Sequence, residues 1–157
     1  MPEASPARVV ADADVLAADL LCGESPAREA LDHVRRHSWV QLVASDALLD
    51  DAEAIIADLA DSKLGADWRE RIAAERELVD HPAGDHPALA SAYRGEAAHL
   101  LSYDEGLRSA ATGQSLQPHM QVSIRPPDAF ARLFDPESLY EAVESGAYPG
   151  PDRDPRA

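Results

Sequence analysis

Along this chain, short apolar runs that stop at an acidic residue alternate with longer stretches of helical spacing. Val9-Val10-Ala11 is the first such run, and it halts at Asp12 as a buried strand entering a loop does. Ser25-Pro26 then opens a helical pattern with Ala30, Leu31 and Val34 on one face. Trp39 to Ala44 reads as a second strand. Ser45 supplies an N-cap for the helix in which Leu48, Leu49, Ala52, Ile55, Ile56 and Leu59 recur. A polar helix from Leu64 to Arg76, with Trp68 and Ile72 turned inward, leads to a short strand at Leu78-Val79 that ends at Asp80.

The second half repeats the alternation. Asp80 to Pro87 is a loop rich in breakers, and Asp85 is placed to cap a helix from about Pro87 to Arg94 that Gly95 stops. Ala98 to Tyr103 is a strand ending at Asp104, followed by a short helix to about Ala111. Val122-Ser123-Ile124 is the last strand, ended by Pro126-Pro127. Two short helices complete the pattern, about Asp128 to Phe134 and, capped by Asp135-Pro136, Glu137 to Glu144. Strands separated by helices require crossover connections. The pattern therefore predicts an α/β fold, a three-layer α/β/α sandwich with a mostly parallel central sheet. The predicted domain spans 8–145, between a flexible N-terminus (1–7) and a tail (146–157) too rich in Pro, Gly and charge to pack.

Composition narrows this picture. At 157 residues the chain has the length of one domain. Its single cysteine excludes an internal disulfide, and the apolar Leu20-Leu21-Cys22 context predicts a small buried thiol. No apolar run is long enough to cross a bilayer and the N-terminus lacks a signal-peptide layout, so a cytoplasmic protein is expected. Acids outnumber bases 29 to 14, giving a formal charge of -15, and Lys63 is the sole lysine. This balance, with abundant alanine and few aromatics, resembles that of proteins from salt-accumulating halophilic archaea. At molar salt the Debye length falls to about 3 Å, which screens such self-repulsion. Global negative charge therefore does not exclude an anionic substrate.

Against that background four acids stand out. Asp12 and Asp104 each follow directly on a predicted strand, Asp51 lies early in the helix after the second strand, and Asp85 begins the helix before the Ala98 strand. In a parallel sheet the functional crevice lies beyond the carboxyl ends of the strands, where all four belong. Clustered carboxylates raise one another's pKa unless a cation neutralises them. Without cysteine partners they select hard ions such as Mg²⁺ or Mn²⁺. Such ions support phosphodiester hydrolysis.

The motifs carry a resemblance. Val9 to Leu16 (Val-Val-Ala-Asp-Ala-Asp-Val-Leu) resembles the opening of PIN domains, a hydrophobic strand leading into Asp-Thr-Asn-Val-Leu. Ser45 to Asp51 is similar to the PIN segment that places an acid, usually Glu, on the next helix. Gly84 to Ala92 is similar to Asp-x-x-Ile-Leu-x-x-Ala, and Glu96 to Leu107 to Gly-Ala-Asp-x-Ile-Val-Thr-x-Asp-x-x-Leu. Pro127-Asp128-Ala129-Phe130 matches the Pro-x-x-Phe after the last PIN strand. The ordered set runs from residue 8 to about 134. The resemblance implies a PIN-like ribonuclease, a toxin or an RNA-processing factor, with Asp12, Asp51, Asp85 and Asp104 as catalytic metal ligands for Mg²⁺ or Mn²⁺. Asp14, in a slot where the family has Asn, and Ser45 would support them. Asp50 or Glu53 stands as the alternative to Asp51. RNA is the implied substrate, with an antitoxin or other protein partner, and a homodimer, as further expectations; no membrane partner is expected.

Bland readings accompany these. Asp85 serves equally as a helix cap, and an acid such as Asp51 early in a helix favours the macrodipole. His81 and His86 read as loop residues, phosphate contacts or transition-metal ligands. Arg94, Arg108 and Arg125 are phosphate candidates, while Trp39 and Trp68 belong to the core. A haloacid-dehalogenase-type phosphatase also opens with Asp-x-Asp, but it needs a lysine near the site, and Lys63 lies far from any strand end. The remaining alternative is a PIN-like module that binds RNA or protein without cutting. No aromatic-and-basic platform for single strands is visible in the sequence.

Overall fold

The computed structural model describes residues 4–80, 86–109, 122–144 and 146–156. Five strands form one parallel sheet in the order β3-β2-β1-β4-β5, built from β1 (Ser5–Ala11), β2 (Gln41–Ala44), β3 (Glu77–Leu78), β4 (Ala97–Leu101) and β5 (Ser123–Arg125). Helices flank it, making the expected three-layer α/β/α sandwich. Among the described residues these are α1 (Ala13–Leu21), α2 (Pro26–Arg35), α3 (Asp46–Leu59), α4 (Ser62–Glu75), α5 (Pro87–Arg94), α6 (Pro127–Leu133) and α7 (Pro136–Val143).

The central strand β1 explains the architecture. Val9, Val10 and Ala11 are all buried, so β1 has no solvent face and reads as a continuous apolar run. Its neighbours keep register with it, Val9 opposite Leu42 on β2 and Ala11 opposite Leu101 on β4. From β1 the chain winds outward through β2 to β3, then crosses to the other side for β4 and β5. The topological switch point lies between β1 and β4, the place where α/β sheets open a crevice.

Side-chain caps start most helices. Ser25 Oγ accepts from the Arg28 amide, Ser45 Oγ from the Leu48 amide, Asp61 Oδ1 from the Leu64 amide and Asp135 Oδ1 from the Ser138 amide. Gly95 ends α5 because the backbone there passes too close to β2 for a side chain: an added Cβ would stand 2.3 Å from Val43 Cγ1.

Several expectations are corrected. The residues after Asp12, expected as a loop, form α1. β1 begins at Ser5, inside the stretch assigned to a flexible N-terminus. Residues 38–40 turn, through the Val40 amide on the His37 carbonyl, so β2 starts at Gln41 rather than Trp39. Cys22 caps α1 and is exposed, not buried. After Asp104 the described chain makes turns rather than helix, and residues 110 and 111 lie outside the described residues.

The tail packs, contrary to its composition. Tyr148 Oη meets Nε2 of the buried His37 at 2.7 Å, and Asp152 accepts from the Ser38 amide at 2.8 Å. The Asp152 amide donates to the Arg36 carbonyl, and Arg156 grips Asp32. Hydrogen bonds and an ion pair back to α2 and the following turn hold the segment against the domain, although none of its described residues is buried. No helix among the described residues is long and apolar enough to cross a membrane.

Candidate functional site

Asp12 leaves β1 as the N-cap of α1, with Oδ1 accepting from the Ala13 amide at 2.8 Å. Its own amide donates to the Leu101 carbonyl at the end of β4, at 2.8 Å. That bond pins the first acid to the far side of the switch point. Its second oxygen, Oδ2, accepts from Ser102 Oγ at 2.8 Å, and the same Oγ accepts from the Asp104 amide at 3.0 Å. Ser102 is fully buried, and its amide donates to the Arg125 carbonyl on β5. One hydroxyl therefore joins the acids that end β1 and follow β4.

Asp104 is exposed, and Oδ1 closes a turn by accepting from the amides of Gly106 (2.9 Å) and Leu107 (3.2 Å). Its Oδ2 makes no hydrogen bond among the described residues. Asp14, in the first turn of α1, receives the Tyr103 amide on Oδ2 at 3.2 Å, while its Oδ1 is buried without a partner among the described residues. Burial raises the Asp14 pKa above the ordinary carboxylate value, and the charges of Asp12 and Asp104 add to the rise. Three carboxylates thus lie within electrostatic reach of one another at the switch point. Tyr103, 40% exposed, lies beside Asp14 with its phenol pKa raised, first by burial and then by the charges of Asp14, Cys22 and Asp128.

The other candidates are dispersed. Asp51 is exposed on α3 and makes no hydrogen bond or ion pair among the described residues. Asp50 and Glu53, its alternatives, turn toward α4 and share Arg69. Asp46 joins them there, its pKa lowered by a hydrogen bond from Arg76. Ser45 is buried as the cap of α3, its amide donating to Ser91 Oγ at 3.0 Å. Asp85 and His81 lie outside the described residues. The N-cap of α5 is His86, not Asp85: its Nδ1 accepts from the Ala88 amide at 3.2 Å, because the residue directly before Pro87 holds the cap position.

Of the phosphate candidates, Arg94 is exposed and Arg108 buries its Nε without a partner among the described residues. Arg125 folds back along the sheet to Nδ1 of His99, at 3.3 Å, and His99 is held toward its neutral form by burial and by that guanidinium. Trp68 is buried, whereas Trp39 is half-buried. Among the described residues, no three His, Cys, Asp or Glu side chains form a group able to hold a metal ion. The donors that do gather, Asp12 and Asp104 beside Asp14, are all oxygen, the chemistry of a hard cation. Mg²⁺ keeps several waters and is commonly bound through one or two carboxylates; here Asp104 Oδ2 makes no hydrogen bond among the described residues, whereas both Asp12 oxygens accept one.

The sequence alone did not mark Ser102 and Tyr103 as functional residues. The signal was a hydroxyl directly after an apolar strand and two residues before an acid. It reads as a turn residue until the end of β1 is brought beside it.

A family model matches residues 3–156, and its description is "Family of unknown function (DUF7384)". No curated protein and no solved structure matches the chain.

Proposed function

This chain belongs to the DUF7384 family, and from its own residues we propose that it is a divalent-metal-dependent ribonuclease of the PIN type, hydrolysing RNA phosphodiester bonds at the Asp12–Asp104 edge of its sheet. The observation that carries this reading is the shared hydroxyl of Ser102, 2.8 Å from Asp12 Oδ2 and 3.0 Å from the Asp104 amide nitrogen, at the switch point between β1 and β4.

Each residue has a task in this account. Asp12 and Asp104 would hold Mg²⁺ or Mn²⁺. Bound there, such an ion lowers the pKa of its water and stabilises charge on the leaving oxygen. Ser102 fixes the orientation of the Asp12 carboxylate and the position of Asp104, so both acids are set before substrate arrives. Asp14 is held by the Tyr103 amide and adds negative charge beside them. Tyr103 offers an aromatic face next to the acids for an unpaired base.

Non-catalytic binding of RNA or a protein is the second reading. It is favoured by Asp12 being only 8% exposed, with both oxygens already hydrogen-bonded. Incubating the protein with unstructured RNA in high salt separates the two. The nuclease reading expects cleavage with Mn²⁺ or Mg²⁺ that EDTA abolishes and Asp12→Asn lacks. Equal cutting by wild type and Asp12→Asn, or none by either, would sink it.

A further inference from the structure

The chain carries a formal charge of -15, and three adjoining clefts lie along α2. The largest of the three, about 630 Å³, is lined by Arg28, Glu29 and Asp32 of α2 and by Arg36 at its C-cap, positions three and four residues apart, with Glu29 exposed and the others half-buried. It shares Arg28 and Arg156 with a second cleft, which shares Arg35 and Pro155 with a third. Six arginines and six carboxylates line the three. Their lining is therefore neutral, and the whole formal charge of -15 lies elsewhere in the chain.

Tyr103 connects this surface to the acids. Its hydroxyl lies toward the Ala27 amide in the first turn of α2, and its own amide donates to Asp14 at 3.2 Å. The α2 helix has ten residues, a length of about 15 Å, which puts Tyr103 at one end of the groove and Arg36 at the other.

The arginines are not equivalent. Arg28 is occupied by the carbonyls of Asp19 (2.9 Å) and Leu20 (3.1 Å) at the end of α1. Arg35 is locked to the buried Asp19, and Arg156 to Asp32. Arg36 and Arg153 carry no ion pair among the described residues. Arg153 gives one N–H to the His37 carbonyl at 3.0 Å, which leaves most of its five donors free.

We propose that the α2 groove is the track of a single-stranded RNA that reaches the Asp12–Asp104 edge, with a base stacked on Tyr103 and backbone phosphates met by Arg36 and Arg153. This rests on the nuclease reading above. Stacking on an aromatic face needs an unpaired base, which makes the ligand single-stranded. The platform is assembled from the end of α2, the tail and the turn after β4, so no local stretch of sequence displays it.

The test is fluorescence anisotropy of an end-labelled unstructured RNA in the Asp12→Asn background, across a salt series. The pair Arg36→Glu/Arg153→Glu is expected to bind about tenfold more weakly and to flatten the log–log salt dependence by about 1.4, roughly 0.7 for each phosphate no longer neutralised. Arg36→Gln/Arg153→Gln gives the same flattening with a smaller drop in affinity. Lys63→Glu/Arg132→Glu, an equal charge change outside the groove, leaves binding unchanged. The track is overturned if the first pair binds like its parent, if the control pair weakens binding as much, or if duplex RNA binds as tightly as single strands. Cleavage by the wild type, followed in parallel, keeps the two ideas apart. Asp12-dependent cutting with unaltered binding in the first pair removes the track alone. Groove-dependent binding without cutting removes the nuclease alone, and RNA neither bound nor cut removes both.

Discussion

Ser102 donates its hydroxyl proton to Asp12 across ninety residues of sequence, at 2.8 Å, with Ser102 fully buried and Asp12 8% exposed. Both partners are buried, so the carboxylate cannot replace this donor with solvent. Ser102→Ala is expected to destabilise the fold by about 1–3 kcal/mol, the cost of an unsatisfied buried acceptor. Denaturant melts of the two proteins check this, and a loss well under 1 kcal/mol would mean that water reaches Asp12.

Asp14 carries a pH signature. Burial, then the charges of Asp12 and Asp104, raises its folded-state pKa above the unfolded value of 3.8. A raised carboxyl pKa contributes stability that is fully present below the unfolded value and is lost as pH rises through the folded one. At neutral pH without divalent metal, ionised Asp14 therefore weighs against the fold. Asp14→Asn is expected to melt at higher temperature than wild type near pH 7, and the gain should disappear below pH 3.8. Thermal melts at the two pH values check it; a variant less stable at pH 7 contradicts it.

Gly95→Ala tests the packing of α5 on β2. The new Cβ would stand 2.3 Å from Val43 Cγ1 and 3.0 Å from the Ser91 carbonyl. Overpacking of this kind typically costs about 1–3 kcal/mol. Adding Val43→Ala should recover part of the loss. If the single variant is as stable as wild type, α5 shifts more freely than this packing implies.

How much was legible in the sequence follows from where each signal lay. Val9-Val10-Ala11 announced β1 because a strand buried on both faces needs no alternation. The caps at Ser25, Ser45 and Asp135 were local and readable. Helix α1 was not, because Ala13, Val15, Leu16 and Ala17 are all buried and the apolar run blurs the helical period. Asp12 and Asp104 were found as strand ends. Their junction through Ser102 depends on β1 and β4 being neighbours, which no local pattern encodes. The packed tail was hidden for the same reason, since Tyr148 and His37 are 111 residues apart.

That last pair yields a further prediction. His37 Nδ1 lies 2.7 Å from the His33 carbonyl and must donate to it, so Nε2 accepts from the Tyr148 hydroxyl. Tyr148→Phe leaves a buried acceptor empty and is expected to cost about 1–3 kcal/mol. Hydrogen exchange of the Asp152 amide, which is bonded to the Arg36 carbonyl, should quicken in the variant as the tail loosens. Unchanged exchange and unchanged stability would show that the tail is held without Tyr148.

The proposed site of RNA cleavage is the point where Ser102 joins Asp12 and Asp104. Single-turnover cleavage of an unstructured RNA, measured against Mn²⁺ concentration at high salt, tests it most directly. Wild type should cut with a saturable Mn²⁺ dependence, and Asp12→Asn should be silent at every concentration. Ser102→Ala should reach the wild-type rate only at roughly 10–100-fold more Mn²⁺, as expected when a group orienting a metal ligand is removed. Three coincident curves, or cleavage indifferent to Mn²⁺, would contradict the account.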